Sequence, residues 1–227
     1  MLARKRPDGT PHSRRMTMRQ LLLGLIEAPP PTFDNFVTGR NGPALAALHA
    51  LGGAGLTEPC VYIWGVAGSG RSHLLAAWSA RMRRDGAREF HAIDDADALA
   101  DDAQGALFTL YNRAREGAAT LLVAGSHSPA QLDLRDDLKS RLAWGLSFEI
   151  RALSDDEKRA ALIERAAGLG MLLTLEMCDY LFARARRDMP SLIALVDALD
   201  RHSLETRRPV TLPLLRELLN QNHNLPL

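Results

Sequence analysis

The sequence predicts an α/β fold with a mostly parallel sheet, followed by an all-helical region. Up to residue 152, short apolar runs alternate with segments whose apolar residues recur at helical spacing, which is typical of a parallel sheet. Beyond residue 152 the strand pattern ends and the helical spacing continues. A glycine-rich turn directly follows the first predicted strand, as it does in folds that bind phosphate groups. The predicted strands cover residues 60–64, 90–93, 120–124 and 146–150.

The predicted helices divide between the two regions. Ser154 and Glu157 have the spacing of a capping box, which predicts a helix that begins there and ends near Leu169. Helical spacing predicts the other helices at 44–51, 73–84, 101–116, 175–187, 191–204 and 212–219. The predicted organisation is a basic tail at 1–19, a peptide and proline linker at 20–31, an α/β base at 32–152, a helical lid at 153–220 and a polar tail at 221–227.

The composition is that of an ordinary globular protein, with 46% hydrophobic and 24% charged residues among 227. The net charge of +1 conceals an asymmetry, because the first 19 residues carry six basic groups and one acid. The remaining chain has 22 basic and 26 acidic residues, a net charge of −4. That body lacks the positive footprint of a dedicated DNA-binding domain, so we expect at most indirect contact with DNA.

Nothing in the sequence predicts secretion or a membrane. The apolar run at 21–26 contains Gly24 and is followed by Glu27, so it is too short for a signal peptide or a membrane span. Cys60 and Cys178 have no metal or redox spacing, and we interpret both as small buried hydrophobes. We therefore expect a cytoplasmic protein. Met16 and Met18 are alternative starts that would remove the basic tail.

The glycine-rich turn at 65–72 matches the phosphate-loop pattern G-x4-G-K-[ST] except that Arg71 replaces the lysine. Gly65, Gly68 and Gly70 would let backbone N–H groups point at phosphate oxygens at the start of a helix, and Ser72 could bind Mg²⁺. Because Arg is longer and planar, nucleotide binding survives this replacement more easily than catalysis does. The alternative is a glycine-rich turn without a ligand.

Polar residues follow the next two predicted strands. Asp94 would hold Mg²⁺ together with Ser72, and Asp95 takes the place where active ATPases often carry Glu. An acid run here could equally be a solvated loop. Ser126, after the strand at 120–124, falls where a polar residue would contact the γ-phosphate side, and we interpret its neighbour His127 as an exposed loop residue.

Four stretches together resemble the Hda family, which regulates the replication initiator DnaA. They are TFDNFV at 32–37, GVAGSGRSHLL at 65–75, SRLAWGL at 140–146 and QLLLGL at 20–25. The resemblance covers nearly all of the chain from Gln20 onward. It implies an AAA+ P-loop NTPase-like sheet with an all-α lid.

The resemblance also implies ligands and partners. Phe36 and Val37 would lie near the adenine of a bound ADP or ATP, with Mg²⁺, and His73 belongs to the phosphate-loop stretch. The lid residue that senses nucleotide would be Arg201 or Arg187. The residues implied to bind the DNA polymerase III β sliding clamp are Gln20, Leu21, Leu23 and Leu25. The alternative is that this run folds back onto its own domain.

Arg141 resembles an arginine finger that acts in trans on ATP bound to DnaA. The alternative is a surface arginine paired with Asp136 or Asp137. The resemblance therefore implies a clamp-bound regulator that stimulates the DnaA ATPase and has no robust ATPase of its own. The alternatives are a self-acting ATPase of helicase-loader type, or a clamp-binding adaptor with an inactive nucleotide site. Whether the chain forms a homo-oligomer is left open by the sequence.

Two departures refine this picture. The sequence stops soon after the last lid helix, so no helix-turn-helix module is expected, which favours a regulator over an initiator. Residues 73–88 are too few for the helix, strand and connection that usually follow the phosphate loop. The usual sheet order is 5-1-4-3-2, and losing strand 2 at the edge breaks no central ladder. We therefore expect a four-stranded sheet with the order 5-1-4-3.

Overall fold

The structure is a computed structural model that describes residues 29–53, 56–87 and 89–221. The basic tail, the proposed clamp peptide with Gln20, Leu21, Leu23 and Leu25, and the residues after 221 lie outside the described residues. Within the described part, no helix is long and apolar enough to cross a membrane.

Four parallel strands form one sheet: β1 (Cys60–Trp64), β2 (Phe90–Ile93), β3 (Thr120–Gly125) and β4 (Leu146–Glu149). Their order is β2-β3-β1-β4. This order corresponds to the predicted 5-1-4-3 arrangement read from the other edge, and the described residues between the phosphate loop and β2 add no strand. The prediction of a four-stranded sheet is therefore confirmed.

The sheet has helices on both faces. The helices of this region are α1 (Gly42–Ala50), α2 (Arg71–Arg84), α3 (Asp101–Arg115) and α4 (Asp136–Trp144). On one face α1 and α2 bury Leu48 and Trp78 against β1 and β3. On the other face α3 and α4 bury Leu107 and Leu138. Both faces of the central strands are therefore buried, which explains why their sequences are continuous apolar runs.

A second core lies in the four helices that follow, α5 (Asp155–Gly168), α6 (Leu175–Arg184), α7 (Met189–Thr206) and α8 (Leu212–Gln221). The predicted capping box is present, because Ser154 and Glu157 exchange side-chain and backbone hydrogen bonds at the start of α5. Fully buried leucines from all four helices fill this core: Leu162, Leu181, Leu192, Leu199, Leu214 and Leu215.

Most helix boundaries differ from the prediction by one or two residues, and the largest difference lies between α6 and α7. The helix predicted to reach residue 187 ends at Arg184, and the next begins at Met189 instead of residue 191. Asp188 is the reason, since its carboxylate accepts a hydrogen bond from the Ser191 N–H at 3.0 Å and caps α7. Pro190 fits the first turn, where its missing N–H costs nothing.

Cys60 and Cys178 are both buried and free, as predicted. Burial, with a smaller contribution from the charge of Glu58, raises the pKa of the Cys60 thiol to about 12. A thiol with so high a pKa is not a nucleophile at neutral pH.

Candidate nucleotide site

The glycine-rich turn joins the carboxyl end of β1 to α2, and close backbone contacts hold it in place. The Gly65 N–H donates to the Gly125 carbonyl at 3.3 Å, and the Ser69 N–H donates to the Val66 carbonyl at 3.1 Å. A side chain at Gly65 would overlap the carbonyl of Ile150, so only glycine fits there. The turn therefore approaches the start of the lid more closely than any other residue type would allow.

The N-linker, which we define as residues 32–37, packs against this turn. Gly70 has a φ of +103°, and a Cβ there would lie 2.7 Å from the Phe36 ring. The Phe36 ring is also 5.5 Å from that of His73, whose Nε2 lies 2.9 Å from the Thr32 carbonyl oxygen. These contacts bring Phe36 and His73 of the predicted site together.

A cavity of about 240 Å³ lies between the base and the lid. Seven of the predicted nucleotide-binding residues line it: Phe36, Val37, Gly68, Gly70, Arg71, Ser72 and His73. The sequence prediction missed the other lining residues: Asn35, Asn41, Ser69, Leu153, Lys158, Asp188, Met189 and Pro190. Of the two lid arginines considered, Arg187 lines the cavity, whereas Arg201 is exposed on α7.

The cavity has the charge of an anion site. Arg71, Lys158 and Arg187 line its wall, and the last two also pair with Asp155, outside the lining, at 3.8 Å and 3.3 Å. The acid that shares this wall, Asp188, is occupied by capping α7 and by an ion pair with Arg186 at 3.1 Å. A polyphosphate would therefore be attracted to this space.

Two polar atoms at the phosphate loop lack partners. Arg71 Nη1 and Ser69 Oγ are both buried, and neither has a hydrogen-bond partner in the described part of the chain. Buried polar groups normally have partners, so an unpaired guanidinium nitrogen beside a cationic cavity fits an anionic ligand. By this test the residues present fit the phosphate groups of a nucleotide.

Asn41 connects the base to the start of the lid. It is only 2% exposed, donates to the Arg151 carbonyl at 3.0 Å and accepts from the Arg151 N–H at 2.8 Å. Asn41 is the N-cap residue of α1, but its side chain makes no capping bond. Its partner is 110 residues away, so no local pattern could have revealed this role.

The predicted acids do not lie on the cavity wall. Asp94 and Asp95 are exposed and absent from the cavity lining. The half-buried Ser126 and the buried Gly65 are also absent from it. Asp94 accepts a hydrogen bond from the Asp95 N–H at 3.0 Å, and Asp95 has a φ of +47°. This bend leads into a short 3₁₀ turn, Ala96–Ala98, in which Ala96 is buried.

Asp97, which the sequence prediction passed over, is the acid that this turn directs inward. Its two carboxylate oxygens accept from the Ser126 N–H at 2.7 Å and from the Ser126 hydroxyl at 2.6 Å. Burial works to raise the pKa of Asp97, but the Ser126 hydrogen bonds and the charge of Arg71 together outweigh it and lower that pKa. The carboxylate is therefore ionised at neutral pH and lies within the field of Arg71.

Arg141 lies outside this cavity. Its guanidinium carbon is 4.2 Å from the centroid of the Phe108 ring and 5.7 Å from that of Tyr111. Its Nε is buried and has no hydrogen-bond partner in the described ranges. The alternative of a surface pair with Asp136 or Asp137 is not seen, because both acids have other partners. Asp137 pairs with Arg135 and Asp136 pairs with Lys139, each at 2.8 Å.

The indole of Trp144 lies one helical turn beyond Arg141 and is 76% exposed. Residues three apart lie on neighbouring positions of a helix surface, so the arginine and the indole share one side of α4. The sequence prediction did not identify α4 as a helix. An exposed tryptophan next to an arginine without an acceptor is typical of a surface that contacts another protein.

The architecture defines an AAA+ fold of the P-loop class: four parallel strands, a phosphate loop after a central strand and a helical lid. Domain III of DnaA from Thermotoga maritima has the same fold, with a TM-score of 0.58 and 17% identity over 85% of this chain and 97% of that one. DnaA from Aquifex aeolicus, solved with bound AMPPCP, has a TM-score of 0.57 and 23% identity over 80% of this chain and 71% of its own. These likenesses establish the fold.

Sequence comparison identifies the family. A profile of the Hda lid domain matches residues 155–219. A Haemophilus influenzae protein described as uncharacterized is 31% identical over 229 residues, which cover 89% of this chain and 99% of that protein. The chain belongs to the Hda family. Family and fold together support a replication regulator related to DnaA.

Proposed function

We propose that this protein regulates replication initiation by promoting hydrolysis of ATP bound to DnaA. In this proposal it docks on the DNA polymerase III β sliding clamp and donates Arg141 to the DnaA nucleotide site. The observation that carries the proposal is the setting of Arg141: away from its own cavity, without a described acceptor, and beside an exposed Trp144. A cytoplasmic location follows from these partners.

The charge of Arg141 would act on the phosphoryl group that DnaA transfers to water. An arginine finger supplied in trans is worth roughly 10³–10⁵ in rate, because it stabilises negative charge in the transition state. The guanidinium now rests on Phe108 and the side chain is half-buried, so this cation–π contact is worth roughly 0.5–2 kcal/mol, between the exposed and the desolvated case. This contact is weak enough to be given up, yet it holds the side chain near the surface of α4.

A resident nucleotide would occupy the chain's own cavity. The phosphate loop and Arg71 would hold the phosphates of ADP or ATP, and Phe36 and Val37 would flank the base. Ser72, on the cavity wall, would be a ligand for Mg²⁺, which would neutralise phosphate charge, whereas Asp94 is exposed and lies outside the cavity lining, so the fit for the metal rests on Ser72. The unpaired Arg71 Nη1 and the AMPPCP bound to a related fold support this assignment.

Clamp binding would depend on Gln20, Leu21, Leu23 and Leu25, and this part of the proposal is supported by the family resemblance. A short peptide of this kind places leucines in an apolar pocket while a polar side chain sets the register. Contact with DNA would then be indirect, through the clamp.

Two features of the structure argue against the alternative functions, a self-acting ATPase and an adaptor with an inactive nucleotide site. A self-acting ATPase would need a water-positioning acid at the nucleotide, but Asp95 is exposed and outside the cavity lining. An adaptor with an inactive nucleotide site gives no reason for the buried unpaired nitrogen of Arg71. Both observations favour the regulator.

The decisive experiment measures hydrolysis of DnaA-bound ATP in the presence of DNA-loaded clamp. The wild-type protein should stimulate hydrolysis and Arg141→Ala should not, while clamp binding is retained. Arg135→Ala is the matched control, because Arg135 also lies near Phe108, at 5.9 Å, but is already neutralised by Asp137. Stimulation by Arg141→Ala, or robust ATPase activity of the isolated protein, would contradict the proposal.

The clamp is tested separately. Gln20→Ala should lose both clamp binding and clamp-dependent stimulation without changing the fold. Clamp binding that survives this substitution would contradict the peptide assignment and leave the role of Arg141 untouched.

A further inference from the structure

Strand β2 lies at one edge of the sheet, and no strand in the described part of the chain pairs with its outer side. The Thr120 N–H donates to the Glu89 carbonyl at 3.1 Å, so the carbonyl of residue 89 faces β3. Because backbone groups alternate between the two sides of a strand, the N–H and C=O of His91 also face β3. The same groups of Phe90 and Ala92 therefore point outward, where another strand could bind them.

The two edges of the sheet differ in the residues at their outward positions. At the other edge the Ile150 N–H donates to the Trp64 carbonyl at 2.6 Å, so the outward positions of β4 are Ser147 and Glu149. Natural edge strands commonly carry a charged residue, which discourages pairing with another chain. Both outward positions of β2 are apolar, so its edge lacks this protection.

The sheet face above β2 is only partly covered by α2. The Phe90 ring is half-buried and meets the Trp78 ring edge-on, with 5.7 Å between the ring centroids. Ala92 lies on the same face of the strand, because side chains alternate with a period of two, yet it is exposed. The start of β2 is therefore covered and its second half is open to a side chain from a neighbouring strand.

The two ends of β2 carry opposite charges that lack partners. The Arg83 guanidinium carbon lies 5.9 Å from the centroid of the Phe90 ring, at the start of the strand, and forms no ion pair with any described residue. Asp94 and Asp95 follow the end of the strand, are exposed, and also form no ion pair within the described ranges. An antiparallel neighbour of the same sequence would bring each arginine beside two acids. A parallel one would place like charges side by side, which is unfavourable.

We propose that the edge of β2 binds a second copy of this chain, antiparallel, about a two-fold axis that passes through His91. Phe90 would exchange a pair of hydrogen bonds with Ala92 of the second copy, and the symmetry repeats the pair. Each Phe90 ring would pack over the exposed Ala92 opposite, and each Arg83 would meet the acids at the end of the other strand. This inference goes beyond the proposed function. Since α4 packs on β1 and β4, at the other end of the sheet, Trp144 would stay uncovered.

Sedimentation equilibrium of the full chain tests the pairing. The wild-type protein should show a monomer–dimer equilibrium with a Kd of roughly 10–100 μM, because a short edge buries little area. The measurement is made at pH 8, where the two facing His91 side chains are neutral. Ala92→Lys should raise the Kd at least about tenfold, since it sets a charge against the Phe90 ring of the other copy, as edge lysines do.

Ser147→Lys is the matched control, because it places the same charge at an exposed, outward position of the opposite edge. Its Kd should stay within about twofold of the wild-type value. Arg83→Glu is a second test variant that leaves the strand itself unchanged. It should also raise the Kd by about tenfold, since it replaces two attractions by two repulsions between exposed charges.

Amide hydrogen exchange identifies the strand directly. A rise in protein concentration from about 5 to about 500 μM should slow exchange of the Phe90 and Ala92 amides by about fivefold, because pairing protects them. The His91 amide already faces β3, so its exchange should be slow at every concentration.

Three results would overturn the proposal. One is a protein that stays monomeric at about 500 μM, well above the expected Kd. Another is a dimer whose Kd is changed by neither Ala92→Lys nor Arg83→Glu, with both variants shown to be folded by circular dichroism. The third is a dimer that Ser147→Lys disrupts and Ala92→Lys does not, which would place the contact at β4. Because no assay here contains DnaA, these results are independent of the role of Arg141.

Discussion

Arg71 and Arg141 offer the same functional group in two differently built surroundings. Both guanidinium groups have a buried nitrogen without a partner among the described residues. Arg71 lies in a cavity whose walls come from the loop, the N-linker and the lid of one chain. Arg141 rests on the Phe108 ring beside the exposed Trp144. The guanidinium on the cavity wall can serve a ligand of its own chain, whereas under the proposed function the one on α4 completes a site on another molecule.

Each region is also fixed by one buried amide. Asn41 joins α1 to the backbone of Arg151 at the start of the lid. Gln104, 6% exposed, donates to the Leu99 carbonyl at 3.1 Å and accepts from the Arg135 N–H at 3.0 Å, just before α4. The same chemistry thus positions the cavity in one place and the helix that carries Arg141 in the other, so the two regions can be perturbed independently.

The largest effect on the enclosed side should come from Arg71→Ala. Removing a charge-assisted hydrogen bond to phosphate should raise the Kd for ADP by roughly 10–100-fold. Calorimetry on the purified protein measures this directly. Arg83→Ala removes a solvent-exposed arginine from the same helix and should change the Kd by less than about twofold. Equal effects of the two substitutions on the Kd would contradict a specific role of Arg71 in binding phosphate.

On the outward side, Trp144→Ala should weaken the complex with DnaA by about tenfold, since exposed tryptophans often anchor interfaces. Because the indole is mostly exposed, the free energy of unfolding should change by less than about 0.5 kcal/mol. Binding can be measured by surface plasmon resonance with immobilised DnaA. Leu172→Ala, which removes a side chain that is 78% exposed on the lid, is the control. An equal loss with that variant would argue against α4 as the contact.

The two amides sharpen the comparison. Asn41→Ala and Gln104→Ala should each lower the free energy of unfolding by about 1–3 kcal/mol, because each leaves buried backbone groups unpaired. Urea titration measures this loss. Asn41→Ala should raise the Kd for nucleotide and leave stimulation of DnaA unchanged at saturating nucleotide. Gln104→Ala should lower stimulation of DnaA and leave the Kd for nucleotide unchanged. If both variants weaken both activities, the regions are coupled through the sheet.

The sequence predicted the strands because they are continuous apolar runs at clear spacing. Their order came from the family resemblance, and the short segment between Ser72 and β2 removed one edge strand from it. It did not predict α4, since nine residues beginning with two acids carry little periodic signal. The glycines of the loop were predicted from their pattern, and the close approaches of Phe36 and Ile150 give their physical reason.

The side chains that complete the site were harder to predict. Asp97 lies within a run of acids, and such runs are usually solvated loops. What distinguishes it is the buried Ala96 and the bend at Asp95, which turn the third acid inward. Lys158 and Asn41 reach the cavity because the lid folds over the base, a tertiary arrangement that no local spacing encodes.

The smallest expected effect is a pH dependence confined to the enclosed side. The pKa of Asp97 is lowered in the folded protein, so its contribution to stability is complete above the ordinary carboxyl pKa and is lost as the pH falls through the folded value. The difference in urea midpoint between the wild type and Asp97→Asn should therefore be constant above about pH 5. It should begin to shrink as the pH falls below about 4.

The outward side supplies the control for this titration. Asp136 also has a lowered pKa, through a hydrogen bond and ion pair with Lys139, but it is fully exposed. Solvent and salt screen such a pair, so Asp136→Asn should show no resolvable pH-dependent difference in 0.15 M salt. If the Asp97 difference persists unchanged at pH 3, the carboxylate is not stabilised by Ser126 and Arg71.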